Sequence, residues 1–143
     1  MLRERIGEVE ARIQAAAARA GRRREEITLV AVTKTLPGSV IPEAYALGLR
    51  DFGENYVQEF EAKAPQLDGL PGARFHLIGH LQSNKSKKAA ELFQVIQTVD
   101  SPRLARRLDE AGRNLEGDTS FLSCSACCCT DRKRSSTTIL LFA

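Results

Sequence analysis

Lys34 is the residue of this sequence whose position best suits covalent chemistry. It lies in TLVAVTKT, residues 28–35, directly after a run of β-prone apolar residues. An amine at the mouth of a buried strand can attack an aldehyde, because partial burial lowers the pKa of a lysine and favours its neutral form. The alternative is an ordinary strand-end lysine whose charged head reaches water.

Two further side chains are candidates for a binding site. Asn55 follows a second β-prone stretch, DFGE, where an asparagine can also simply form a turn. His76 lies within RFHLIG, where it could point towards a ligand or be a hydrogen-bonded core histidine. The remaining lysines near these stretches, Lys63 and the group Lys85, Lys87 and Lys88, are expected to be ordinary surface amines.

The four cysteines lie together in SCSACCCT, at Cys124, Cys127, Cys128 and Cys129. Their spacing is compatible with zinc or an iron–sulfur cluster. However, three consecutive cysteines rarely aim their sulfurs at one ion, and no histidine lies nearby. We therefore expect neither a metal site nor a catalytic thiol.

Alternating strand and helix patterns position these candidates. Strands are predicted to start near residues 28, 51, 74 and 95, at intervals of 23, 23 and 21 residues, with apolar-striped helices between them. Repeated βα units form parallel sheets with right-handed crossovers. The pattern fits either an open doubly wound sheet or part of a barrel.

Polar residues follow each predicted strand. Because ligands of such folds bind at the carboxyl ends of parallel strands, we expect a site at that edge of the sheet. The residues concerned are Lys34, Glu54, Asn55, Gly79, His80 and Asp100.

Composition limits the classes of protein that fit. The chain has 143 residues, 43% apolar and 27% charged, which is typical of one globular domain. A net charge of +3 gives no case for nucleic-acid binding. No apolar run reaches the roughly 20 residues of a membrane span, and the N-terminus lacks a signal-peptide core, so a cytoplasmic location is expected.

Three motifs carry a resemblance to a known family. AVTKT, FGENYVQE and FHLIGHLQSNK occur in this order, and the chain from Leu2 to Asn114 resembles the pyridoxal phosphate homeostasis proteins, which look like the barrel domain of alanine racemase. The resemblance implies that Lys34 forms a Schiff base with pyridoxal 5′-phosphate (PLP), with Asn55 beside the cofactor ring and His76 as a further candidate. It implies the first half, about four strands, of a TIM-type (β/α)8 barrel.

The resemblance ends before the chain does. We predict a partial barrel domain at residues 1–115 and an irregular or disordered tail at 116–143, read as the unrelated end of a truncated chain. In the family, groups late in the chain hold the cofactor phosphate, and no such segment is found here, so PLP affinity is expected to be reduced.

The predicted function is PLP binding and buffering without turnover of a substrate. The alternative is an open βα-sheet binding or interaction module, or a non-functional fragment, with no cofactor. STTILLF near the C-terminus could pair as a strand on propensity. Four parallel strands of a barrel leave two unpaired edges, so we expect the chain alone to be unstable, or to dimerise or aggregate through these edges. The side chains of Val30, Val32, Phe52 and Ile78 are expected to meet water.

Overall fold

The computed structural model describes residues 1–113, 120–121 and 137–142. Its helices are α1 (Leu2–Arg19), α2 (Val40–Ala46), α3 (Val57–Lys63), α4 (Ser86–Leu92) and α5 (Pro102–Arg113). Its strands are β1 (Ile27–Val32), β2 (Asp51–Glu54), β3 (Arg74–Leu77), β4 (Val95–Ile96), β5 (Ser120–Phe121) and β6 (Thr137–Phe142). Short 3₁₀ turns at Arg24–Glu26, Ala64–Gln66 and Ser83–Lys85 lead into β1, extend α3 and lead into α4, respectively.

The strands form one parallel sheet in the order β5-β4-β3-β2-β1-β6. The α/β class and the four predicted strand positions are therefore confirmed. The strands end earlier than predicted, and β4 has only two residues where six were expected. The backbone of the segment after β4 still pairs with β3, since Gln97 N donates to Leu77 O at 3.0 Å.

Local signals end and begin the helices where the sequence indicates. Gly21 and Gly48 follow α1 and α2 with φ angles of 65° and 101°, the left-handed conformation that glycine adopts without penalty. At the start of α5, Leu104 N donates to Ser101 Oγ at 3.2 Å, directly ahead of Pro102.

The main core lies between the helices and one face of the sheet. An aromatic cluster joins the helices to the sheet. The ring centroid of Phe60 in α3 lies 4.7 Å from those of Phe75 and Phe93, and the Phe75 centroid lies 5.8 Å from that of Phe52. Helix α1 adds Ile6, Ile13 and Ala17. Burial of such aromatic and aliphatic groups is the main favourable term in folding.

The opposite face of the sheet is also covered, contrary to expectation. Val30 and Val32 are 0% and 2% exposed, and Phe52, on the helix face, is 0% exposed. Val30, Val32 and Ile78 all approach Gly53, and a Cβ at position 53 would lie 3.1–3.6 Å from their side chains. The prediction that these side chains meet water is wrong for Val30, Val32 and Phe52, while Ile78 is half-buried.

Both edges of the four-stranded unit are paired, which corrects the expectation of open edges at β1 and β4. β6 pairs with β1 from Ile27↔Thr137 to Val32↔Phe142, and β5 pairs with β4 at two positions. The prediction of a strand in STTILLF is thus confirmed. The sheet now terminates in β5 and β6.

The cysteine cluster lies outside the described residues. Within the described ranges, no three His, Cys, Asp or Glu side chains are grouped as a metal site requires. None of the helices in this part of the chain combines the length and apolar character of a membrane span.

Candidate functional site at the carboxyl edge of the sheet

The loops that follow β1, β2, β3 and β4 meet at one edge of the sheet, here called the carboxyl edge. Lys34 and Asn55 are half-buried there, directly after β1 and β2. Val32 pairs with Gly53, and Lys34 and Asn55 each lie two residues beyond this pair, in the loop that follows its own strand. Both residues therefore lie at the carboxyl ends of neighbouring strands.

Lys34 occupies a tight four-residue turn. Leu36 N donates to Thr33 O at 3.2 Å, which closes the turn, and Thr33 N continues the sheet by donating to Gly53 O at 3.0 Å. Thr35, the third residue of the turn, has a φ of 64°. A β-branched residue is rarely found in this left-handed region, so other contacts must hold it there.

A buried ionic network holds both neighbours of Lys34. Lys63 Nζ donates to Thr33 O at 3.0 Å, to both Glu54 oxygens at 3.0 and 3.1 Å, and to Glu59 Oε1 at 2.8 Å. Thr33 Oγ1 donates to Glu54 Oε1 at 2.7 Å, and Thr35 N donates to Glu59 Oε1 at 2.6 Å. The backbone on each side of Lys34 is thereby tied to α3 and β2.

Glu59 is the partly solvated member of this network. Burial alone would raise the pKa of its carboxyl, but the hydrogen bonds from Lys63 and from the Thr35 amide outweigh burial and lower that pKa. The carboxylate is therefore ionised at neutral pH and accepts both bonds. Charge-assisted bonds of this kind are stronger than neutral ones.

Gly79 explains part of the third motif. A Cβ at position 79 would lie 2.2 Å from the Asn55 carbonyl oxygen and 2.8 Å from its Cα, so the loops after β2 and β3 approach through bare backbone. Gly79 O in turn accepts a hydrogen bond from Thr98 Oγ1 at 2.6 Å. Glycine is thus required where Asn55 must be held against the next loop.

His76 is engaged within the protein at both ring nitrogens. It is 4% exposed, its Nε2 lies 2.8 Å from Asp51 Oδ1, and Gln97 Nε2 lies 2.9 Å from its Nδ1. The Gln97 amide donates a hydrogen bond to Nδ1. The proton of the ring is then assigned to Nε2, which donates a hydrogen bond to the Asp51 carboxylate. This is the hydrogen-bonded core histidine of the two predicted roles, and it ties β2, β3 and the segment after β4 together.

Asp51 also forms an ion pair with Arg74, which lies in β3 like His76. Arg74 Nε lies 2.8 Å from Asp51 Oδ1. Burial raises the pKa of the Asp51 carboxyl, but the hydrogen bonds from His76 and Arg74 outweigh it, and the net shift is downward.

Lys63 is the residue that sequence reasoning placed wrongly. Grouped with surface amines, it is 7% exposed and lies at the centre of the network beneath Lys34. Its i,i+4 spacing from Glu59 is equally typical of a solvated helix face, so no local pattern indicates that it is buried. Glu54, 0% exposed, was placed at the correct edge, although its side chain faces α3 and not the solvent.

A cavity of about 320 Å³ opens beside the loops after β2 and β3. It is lined by Tyr56, Val57, Gln58, His80, Leu81, Gln82 and Lys85, residues of the second and third motifs. Lys34 is not among them, so the cavity lies on the same edge but apart from the lysine.

Known proteins are similar to this chain over about three quarters of its length. A pyridoxal phosphate homeostasis protein of Pseudomonas aeruginosa is 49% identical over 107 residues, which are 75% of this chain and 46% of the relative. The Escherichia coli K12 protein of the same name is 50% identical, covering 73% and 46% of the two chains. The Bos taurus protein is 44% identical, covering 72% and 40%. No family model matches the chain.

Over about three quarters of its length, the chain is homologous to pyridoxal phosphate homeostasis proteins. Among solved structures, PipY of Synechococcus elongatus is 46% identical with a TM-score of 0.61, over 71% of this chain and 47% of PipY. PipY has also been solved with PLP bound. The present chain spans about half the length of the curated relatives that it matches.

Proposed function

We propose that this chain binds PLP at Lys34 and carries it without turning over a substrate. The observation that supports the proposal is the position of Lys34, half-buried in a held turn at the carboxyl end of β1, at the edge where parallel sheets bind ligands. Asn55 directly follows the neighbouring strand, β2. The names of the relatives describe homeostasis, and PipY has been solved with PLP bound.

PLP would supply an aldehyde, whose carbon bonds to the amine nitrogen with loss of one water. The residues around Lys34 suit the aldehyde end of PLP. The turn fixes the Lys34 backbone, and the contact of Gly79 with Asn55 fixes the adjacent loop. We propose Lys34 and Asn55 as the cofactor-binding residues, with His76 acting by holding β2 and β3 in register.

The proposed domain is a half-barrel at residues 1–115. Four successive parallel strands in the order β4-β3-β2-β1, with a helix in each crossover, are the arrangement of four consecutive barrel units. In a barrel of eight units, phosphate groups bind at the loops after the last two strands. We propose that PLP affinity is lower than in the relatives, of which the matched stretch covers about half, and that the protein acts in the cytoplasm.

Reductive trapping tests the proposal. Addition of PLP should produce an absorbance band near the boundary of the visible and ultraviolet. Borohydride treatment followed by peptide mass mapping should place the label on Lys34, and Lys34→Ala should remove both signals. Lys87→Ala, which deletes an exposed amine, is the matched control and should leave both unchanged.

Two results would contradict PLP carriage. Label distributed evenly over Lys85, Lys87 and Lys88 would indicate ordinary surface amines reacting with an aldehyde. No spectral change at all would favour the alternative class, an interaction module without a cofactor.

A further inference from the structure

The proposed PLP site does not use the network beneath the Lys34 turn, although this network contains the most deeply buried charges at the carboxyl edge. Glu54 is 0% exposed and Lys63 is 7% exposed. Burying an ion pair costs desolvation that its mutual attraction repays only with good geometry and further hydrogen bonds. A core of apolar residues would stabilise the fold at least as well, so a second role for these charges is expected.

The network contacts the backbone on both sides of Lys34. Lys63 contacts Thr33 O, and Glu59, which Lys63 holds at 2.8 Å, contacts Thr35 N. Thr33 and Thr35 are the two neighbours of Lys34. No residue but Lys34 lies between the two anchored backbone groups.

The anchored conformation is one that the chain would otherwise leave. Thr35 has a positive φ, which a threonine avoids, and the Glu59 carboxylate accepts the amide proton that this conformation presents. Without that acceptor, only the bond from Leu36 N to Thr33 O would close the turn, and the peptide between Lys34 and Thr35 could flip to give Thr35 a negative φ. That flip changes the backbone ψ of Lys34, so the amine would no longer be held in one position relative to the neighbouring loops.

We propose that Lys63 and Glu59 are positioning residues, which hold the turn in the conformation that presents the Lys34 amine to an aldehyde. This inference rests on the proposed function of Lys34. Lys63 orients Glu59 and ties Thr33 to Glu54, and Glu59 holds Thr35. Neither residue needs to touch the bound molecule.

Glu59 is the residue to change first, because its side chain is 26% exposed and its removal leaves the Lys63–Glu54 pair intact. Glu59→Ala should lower the rate of PLP trapping at Lys34 by about ten- to a hundredfold, the range seen when a reacting group is misplaced. Glu59→Gln retains an oxygen acceptor for Thr35 N and should recover most of the rate. Glu61→Ala removes an exposed glutamate of the same helix and should have no effect.

Lys63 requires a paired substitution. Lys63→Met alone would leave Glu54 buried without its cation, and loss of folding would obscure the result. The double variant Lys63→Met with Glu54→Gln removes both charges, and it should show the same slow trapping at Lys34. Trapping at Lys87 serves as the internal reference in every variant.

Amide hydrogen exchange separates this inference from the proposed function. The Thr35 amide should exchange slowly in the wild-type chain and in Glu59→Gln, and at least about tenfold faster in Glu59→Ala, because an open amide exchanges without a prior opening step. If wild-type Lys34 is not labelled by PLP, the proposed function fails, while the exchange result still decides whether Glu59 holds the turn. Equal Thr35 exchange in all variants, or wild-type trapping rates in Glu59→Ala and in the double variant, would overturn the positioning role.

Discussion

At the scale of single residues, the carboxyl edge depends on groups whose neighbours leave little freedom. Lys34 is set between a buried threonine and a strained one, and Asn55 is pressed against the backbone of Gly79. Such constraints orient the side chains before a ligand binds. They therefore reduce the conformational entropy that the protein loses on binding. Gly79 at this edge and Asp51 at the amino end of β2 each allow a test by stability.

Gly79→Ala should destabilise the fold, because its Cβ would lie 2.2 Å from the Asn55 carbonyl oxygen and the backbone must shift. Overpacking of this kind costs about 1–3 kcal/mol in the free energy of unfolding. Gly7→Ala is the matched control: position 7 lies inside α1 with no atom within 4 Å of the added Cβ, so a gain of about 0.5–1 kcal/mol is expected. Urea denaturation measures both, and equal effects of the two substitutions would contradict the close approach.

Asp51 should make the stability of the chain depend on acidic pH. Its pKa is lower in the folded chain than the ordinary value of 3.8, so the unfolded state binds more protons in that range and the folded state is favoured above it. The contribution is fully present above the ordinary value and is lost as the pH falls through the folded pKa. In urea titrations between about pH 5 and pH 3, Asp51→Asn should therefore show a shallower fall in the free energy of unfolding than the wild type. An identical slope would mean that Asp51 is not held by His76 and Arg74.

At the scale of elements, the first four βα units follow one pattern, and the last strand departs from it. β6 reaches β1 without a described helix beside it, and pairs with all six residues of that strand. Parallel pairing of this length satisfies the backbone groups of β1 that would otherwise face solvent. The position beside β1 is the one that the last strand of a closed barrel takes.

Substituting proline at two successive positions of β6 tests this pairing. Successive N–H groups of a strand point to opposite sides, so Ile139→Pro with Leu140→Pro removes a bond to β1 whichever residue donates it. Amide protection at residues 27–32 should fall, and the free energy of unfolding should drop by about 1–3 kcal/mol, the cost of leaving a buried partner group without its hydrogen bond. The matched pair Ile139→Val with Leu140→Val keeps strand propensity and should preserve the protection. Unchanged exchange in β1 after the proline substitutions would show that β6 does not hold this edge.

At the scale of the whole molecule, the sheet ends in β5 and β6, and its terminal strands are the sites where a further strand could add. We expect the chain to self-associate through these strands, so that sedimentation velocity shows a dimer or larger species growing with concentration. A strictly monomeric species with a cooperative thermal transition, seen by sedimentation and circular dichroism together, would contradict this expectation. It would agree with the burial of Val30 and Val32 and indicate that the sheet is closed well enough to stand alone.

The sequence by itself determined the order of the elements, the parallel sheet and the edge at which Lys34 and Asn55 lie. These follow from local information: apolar runs of strand length, helical spacing of apolar residues, and glycines and prolines at the turns. The motif order was also sufficient to indicate the family.

Only the tertiary structure decided which polar residues are buried and what they hold. Lys63 meets Thr33 across 30 positions, and His76 meets Asp51 across 25 and Gln97 across 21, so no local pattern records these partners. The same is true of β6: its apolar, β-prone residues predict a strand, but they do not predict that it pairs with β1. A side chain's period along a helix or strand fixes which residues share a face, whereas packing between distant segments decides whether that face meets water, a charge or another strand.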